Sequence, residues 1–235
     1  MKKEIYNSKL KMCILGIIVF AIIFFSVYVY NLNRKDKQLN DSLNKLTSVF
    51  EKNEVQFVNL KIINDKISLD YQLQKYDNTN NYSIVNSKVE DTEFHFESFC
   101  DESVEYVKSS YTAGFERIDV GDCSDISNSA NVTGITGSNF SGFDLSVLKL
   151  VDYEFTTKNN QDVIEFDVSE VSNDFFAGEF LNKYNTDILE LSIVEETKSI
   201  ILKTRIKHSD YGEMKIEFLV ENDKVINKPE IKKTR

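Results

Sequence analysis

Apolar and polar positions along the chain follow three regimes. Met12 to Tyr30 is an unbroken stretch of 19 residues without charge or proline. At 1.5 Å per residue a helix of this length rises about 28 Å, close to the roughly 30 Å hydrocarbon core of a bilayer. The pattern predicts a transmembrane helix over 12–30 behind a cytoplasmic tail at 1–11. From Asn31 to about Glu54, Leu39, Leu43, Leu46 and Phe50 recur at spacings of four, three and four, and Arg34, Lys35, Asp36, Lys37, Asp41, Lys45 and Glu51 fall mostly off that stripe. This predicts a coiled-coil helix over 31–54, or an amphipathic helix lying on its own domain. Beyond Val55 the period drops to two.

In this third regime, Gln56–Asn64 and Lys66–Gln74 alternate around Asn64-Asp65 and predict a β-hairpin. A polar loop at Tyr76–Asn81, a strand at Thr92–Phe99, a helix at Asp101–Tyr111 with Val104, Val107 and Tyr111 on one face, and a strand near Phe115–Val120 are expected next. Gly121, Gly134, Gly137 and Gly142 mark a loop over 121–142, broken by a short strand at Asn131–Thr136. The second half reads as a helix at Asp144–Tyr153 with Leu145, Leu148 and Val151 inward, then a strand at Val163–Val171. A helix at Asn173–Tyr184 follows, capped by Ser172 or Asn173, then strands at Ile188–Val194, Ser199–Lys207 and Met214–Val220. The order strand, helix, strand, strand predicts a ferredoxin-like (βαββ) region, and the fold class expected is α+β: an antiparallel sheet with helices on one face. The domain reading is a first α/β region at 55–142, a ferredoxin-like region at 143–228 and a basic tail at 229–235. Leu60-Lys61-Ile62-Ile63 and Leu191-Ser192-Ile193-Val194 suggest a duplicated β element.

Charge adds placement. The formal net charge is −10. Four of the 28 basic residues, but only Glu4 of the 38 acidic ones, lie in the first 30, so residues 31–235 hold 24 basic against 37 acidic residues, or −13. Such a surface repels phosphate backbones and argues against nucleic acid as a partner. Lys2, Lys3, Lys9 and Lys11 before the apolar run favour a cytoplasmic N-terminus and an extracytoplasmic C-terminal domain in the cell membrane. A cleaved signal peptide fits less well: the run is long for one and Phe24 to Tyr30 lacks a small-x-small cleavage pattern. Cys13 reads as a thiol within the apolar run. Cys100 and Cys123 are expected either to form a disulfide, worth about 3 kcal/mol for a loop of this length, or to stand as two separate buried thiols.

Candidate chemistry is sparse. His95 and His208 lie in predicted strands far apart in sequence, without a nucleophile in a recognisable setting. Ser138 to Gly142 lacks the first glycine of a GxSxG elbow, and neither GxxxxGK[ST] nor GxGxxG occurs. Glu165 with Asp167 is the kind of carboxylate pair that an acidic chain produces by chance. Asp119, Asp122 and Asp125 miss the order of a calcium loop. No CxxC and no cysteine beside a histidine suggests a metal site. The sequence thus assigns no catalytic, cofactor or metal residues and reads as non-enzymatic.

A short basic tail, one apolar helix, a heptad helix and then a small α/β domain resembles the bitopic inner-membrane alignment proteins of type IV pili and type II secretion systems. The short asparagine-containing signature of the PilN kind is not evident in Met1 to Lys11, where only Asn7 occurs, so the likeness is to the PilO kind. The resemblance covers nearly the whole chain and is architectural. It implies a single-pass scaffold of an envelope machine. That scaffold would pair through Leu39, Leu43, Leu46 and Phe50 with a homologous membrane protein, as homodimer or heterodimer, and with other machine components. A ligand-binding or sensory domain using the loop 121–142, or a VirB8-like conjugation component, are the contrasting readings.

Overall fold

The computed structural model describes residues 2–47, 56–77, 80–101, 104–119, 143–171, 173–176 and 184–231, with side chains from Ile23 onward except at 56, 118, 119 and 173. The chain divides into two compact units, Met1–Asp41 and Ser42–Arg235. The first is helical throughout its described length, as part of helix α1 (Lys2–Thr47). Among the described residues, no helix is long and apolar enough to cross a membrane. The expected span at 12–30, and the single-pass cell-membrane placement built on it, are corrected accordingly.

Among the described residues, the second unit is built on one sheet of eleven antiparallel strands. In chain order these are β1 (Gln56–Ile63), β2 (Ile67–Lys75), β3 (Asn80–Val89), β4 (Thr92–Asp101), β5 (Val104–Ser109), β6 (Glu116–Asp119), β7 (Tyr153–Lys158), β8 (Gln161–Phe166), β9 (Thr186–Glu195), β10 (Ser199–His208) and β11 (Gly212–Glu221). Two meanders, β1 to β6 and β7 to β11, join where β1 pairs with β11, so β6 and β7 form the edges. The regions expected at 55–142 and 143–228 therefore share one sheet. The α+β, ferredoxin-like fold class is overturned: no α-helix separates the strands among the described residues, and the helical elements after α1 are 3₁₀ turns at Leu145–Leu150 and Asn173–Phe175.

The register explains why the sheet holds together. Phe155, Ile164, Ile193, Leu202, Phe218, Leu60, Tyr71, Val85 and Phe96 face one another in a single row across nine strands. From Ile164 to Phe96 every member of that row is buried. Because side chains alternate between faces, the row one residue along each strand emerges on the opposite side. There Glu165, Ser192, Lys203, Glu217, Lys61, Asp70, Asn86 and His95 align. One apolar and one polar face follow directly from the period of two. A bulge between Arg205 and Ile206 adds a local irregularity where β10 meets β9.

Cover for the apolar face includes the end of α1. Ser42 Oγ donates to the Glu195 carboxylate, and Glu195 shares a cross-strand row with Ile200 and Val220 of the apolar face. Leu43 and Leu46 are 1% and 2% exposed. Their burial within the chain replaces the expected coiled coil with an internal helix face; Leu39 is also buried, and Phe50 lies outside the described residues.

The helix expected at Asp144–Tyr153 is a six-residue 3₁₀ turn followed by β7. Its period of three still places Leu145, Leu148 and Val151 inward, and all are buried. Asp144 caps it, its carboxylate accepting from the Ser146 N–H at 3.0 Å. Phe143 stacks on Phe175 at 5.0 Å and meets Phe176 at 6.2 Å. The predicted helix at Asp101–Tyr111 is strand β5, with Val104 and Val107 on opposite faces. The expected strand at Asn131–Thr136, the loop 121–142 and most of the helix predicted at Asn173–Tyr184 lie outside the described residues.

Candidate functional site

The polar face is most concentrated over β1 to β5. His95 occupies the last place of the polar row, and Glu97, two residues along β4, stands opposite Lys108 of β5. The His95 ring nitrogens lie 2.7 Å from Asn86 Oδ1 and 2.9 Å from Glu97 Oε1. Lys108 Nζ donates to the same Glu97 oxygen at 2.7 Å, and the Tyr82 hydroxyl donates to the other. Burial pushes the Glu97 carboxyl up, but the hydrogen bonds from His95, Lys108 and Tyr82, with the Lys108 charge, outweigh it and hold the group down at about 2. Burial first, then the neighbouring Glu97, pushes the Tyr82 hydroxyl well above its usual value.

Beside this network a groove of about 500 Å³ opens at the hairpin ends. Lys61, Ser68, Asp70, Asn86, Lys88, Glu93, His95 and Ser110 supply polar walls and Ile63 supplies apolar surface, whereas Leu69 and Phe94, also in the lining, alternate onto the other face, where the Phe94 ring stacks on Phe96. Local sequence fixes its rim. Asn64 Oδ1 accepts from the N–H groups of Lys66 and Ile67 at 2.8 and 2.6 Å, which closes the β1–β2 turn as an Asx-type turn. Glu90 sits at φ 54° in the β3–β4 turn, and its N–H donates to the Lys66 carbonyl at 2.7 Å, tying one hairpin end to the other.

The charged groups in the groove differ in how far they are committed. Lys88 pairs with Glu93 at 3.6 Å. Asp70 accepts from Asn59 Nδ2 at 2.5 Å and from Gln72 Nε2 at 3.3 Å. Lys61, half-buried, makes no ion pair among the described residues. The groove therefore offers one uncommitted ammonium near the exposed Ile63 side chain.

Of the residues singled out in the sequence, His95 enters this network, whereas His208 is buried at the β10–β11 turn, accepting from the Asp210 N–H at 3.1 Å and packing on Tyr211. Cys100 is disulfide-bonded on the apolar face, opposite Asn81 and Glu105; Cys123 lies outside the described residues. Leu39, Leu43 and Leu46 lie on α1, outside the groove lining. Glu165 lies in β8 and pairs with Lys158, while Asp167 falls past the strand's end and accepts from Ser169. Asp119 ends β6, and Asp122 and Asp125 lie outside the described residues. Among the described residues no group of three or more His, Cys, Asp or Glu side chains could hold a metal ion.

Sequence reasoning missed Lys61, Asp70, Asn86, Glu97 and Lys108 as a cluster. They come from five strands, and only the register brings them together. The available signal was the polar half of the alternation in β1, β2 and β4.

No protein-family model matches the chain, and no curated protein matches it. Among solved structures, it is similar to the crystal structure of the LolA superfamily protein NE2245 from Nitrosomonas europaea. The two are 10% identical over 80% of this chain and 94% of that one, at a TM-score of 0.26. A likeness that slight carries no inference about function, and none of the comparisons bears on the pilus-alignment resemblance.

Proposed function

We propose that the chain is a non-catalytic binding protein that takes a small amphipathic carboxylate in the groove between Lys61 and His95. The observation that carries this reading is the groove itself. Its volume of about 500 Å³ suits a small ligand, and it sets an uncommitted ammonium on the same strand face as the exposed Ile63. A carboxylate would meet the Lys61 ammonium and an aliphatic or aromatic body would lie along Ile63. The neighbouring network supports binding over proton transfer. A Glu97 carboxyl held near 2 stays ionised at neutral pH and makes a poor general base there.

Pairing through Leu39, Leu43, Leu46 and Phe50 has less support, since Leu43 and Leu46 are spent inside the chain. The test is titration calorimetry of the full chain with octanoate, with octylamine as the charge-reversed control. Saturable binding of octanoate, weakened about tenfold by Lys61→Ala through loss of one charge-assisted contact, is the expected result. Equal binding of both probes, or of neither, overturns the reading.

A further inference from the structure

Charge in the groove is balanced. Its lining carries Lys61 and Lys88 against Asp70 and Glu93, and Lys88 pairs with Glu93 at 3.6 Å. That leaves Lys61 and Asp70, which face each other directly across β1 and β2. Residues so placed have Cβ atoms about 5 Å apart, yet Lys61 makes no ion pair among the described residues. Each carboxylate beside it is drawn elsewhere. Glu217, opposite Lys61 on β11, pairs with Lys203 at 3.8 Å. Asp70 turns toward Asn59 and Gln72, themselves a cross-strand pair: its Oδ1 accepts from Asn59 Nδ2 at 2.5 Å and its Oδ2 from Gln72 Nε2 at 3.3 Å. Asn59 is only 5% exposed, and its amide also donates to the Tyr71 carbonyl at 3.4 Å, so a buried group holds Asp70 in place.

The two oxygens of a carboxylate offer about four acceptor positions, and Asp70 Oδ2 takes one long contact, from Gln72. A groove with an open ammonium beside a partly open carboxylate treats two kinds of ligand differently. A simple carboxylate that reaches Lys61 lies next to Asp70, and like charges at this spacing repel. A ligand whose carboxylate and ammonium sit on one carbon converts that repulsion into a second charge-assisted contact. Its zero net charge also matches the balanced lining. Ile63 follows Lys61 on the same face, about 7 Å along the strand, and is 51% exposed.

We propose that the ligand of the groove is an α-amino acid with an aliphatic side chain. Its carboxylate meets the Lys61 ammonium, its ammonium meets Asp70 Oδ2, and its side chain lies along Ile63. Asp70 then determines specificity, separating amino acids from fatty acids, and Asn59 positions it. This inference rests on the carboxylate-binding reading of the same groove and narrows it to one ligand class.

Titration calorimetry of the full chain compares octanoate, 2-hydroxyoctanoate and 2-aminooctanoate, which share one hydrocarbon body and differ only at the carbon beside the carboxylate. The amino acid should bind roughly tenfold more tightly than the hydroxy acid, the equivalent of one charge-assisted contact. Asp70→Asn keeps an oxygen for the Asn59 amide and removes the charge. It should bring the amino acid level with the hydroxy acid and leave octanoate bound at least as tightly as by the parent. Equal affinity of the parent for the amino and hydroxy acids overturns the inference, and octanoate binding in that case keeps the broader reading. A preference that survives Asp70→Asn in a variant that still binds octanoate overturns it as well. Binding of none of the three overturns both. Binding of the amino acid alone supports the inference and overturns carboxylate binding as such. Should Asp70→Asn unfold, the comparison of amino and hydroxy acids in the parent decides by itself.

Discussion

Leu60 of β1 stands directly opposite Phe218 of β11, and this pair lies at the seam where the two meanders become one sheet. Both side chains are buried, and Tyr71 and Leu202 flank them in the same row. Truncating either leaves a cavity between the halves. Leu60→Ala should cost about 2–5 kcal/mol and Phe218→Ala about 3–5 kcal/mol. The double variant should cost less than their sum, because both vacate one space. Urea denaturation of the four proteins reads the cycle, and strict additivity would show that the seam is not a shared contact.

Leu43 tests whether the helix stripe serves folding or pairing. With a side chain 1% exposed, Leu43→Asn should lower stability by at least about 2 kcal/mol, through lost packing and a buried amide. Its sedimentation coefficient at a concentration where it stays folded should match the parent's. A dissociated oligomer with unchanged melting would return the stripe to an intermolecular role.

Glu97 sets a dependence on pH with a definite sign. Its carboxyl titrates at about 2 in the fold against 4.5 ordinarily, so the folded state favours the ionised form. The stabilisation is complete above about 4.5 and fades as pH falls toward about 2. Glu97→Gln removes it. The parent should therefore be more stable than the variant at neutral pH, and the gap should close between pH 4.5 and 2. Urea midpoints of both proteins across that interval decide the matter, and a gap independent of pH sinks the assignment.

Cys100 is bonded, and the sequence names Cys123 as its expected partner. Peptide mapping without reductant should recover a Cys100–Cys123 linked pair. Reduction should then lower stability by about 3 kcal/mol, following the entropy of a loop of this length. Recovery of a Cys13 link would instead rule out a closed loop between 100 and 123.

Legibility in the sequence tracked how cleanly each strand separates its faces. The β1–β2 hairpin and strands β4, β8, β9, β10 and β11 were readable because their inner positions are nearly all apolar; Met214, Ile216, Phe218 and Val220 of β11 are all buried. Strand β3 was invisible. It turns Asn81, Ser83 and Ser87 to the same face as Val85, so the contrast on which a period of two depends disappears. Strand β5 read as a helix because Val104, Val107 and Tyr111 happen to fall at three and four, although Val104 and Val107 emerge on opposite faces.

The sequence by itself determined that the region after residue 55 is rich in alternating strands, that Asn64-Asp65 turns a hairpin, and that Leu145, Leu148 and Val151 point inward. Each of these rests on interactions within a few residues. Tertiary structure decided that the two halves share one sheet, that Leu43 and Leu46 are buried within the chain, and that Lys61, Asp70, Asn86, His95, Glu97 and Lys108 converge. Those outcomes depend on the antiparallel register and on β1 meeting β11 from the far end of the chain, and no local pattern encodes a pairing between strands some 150 residues apart.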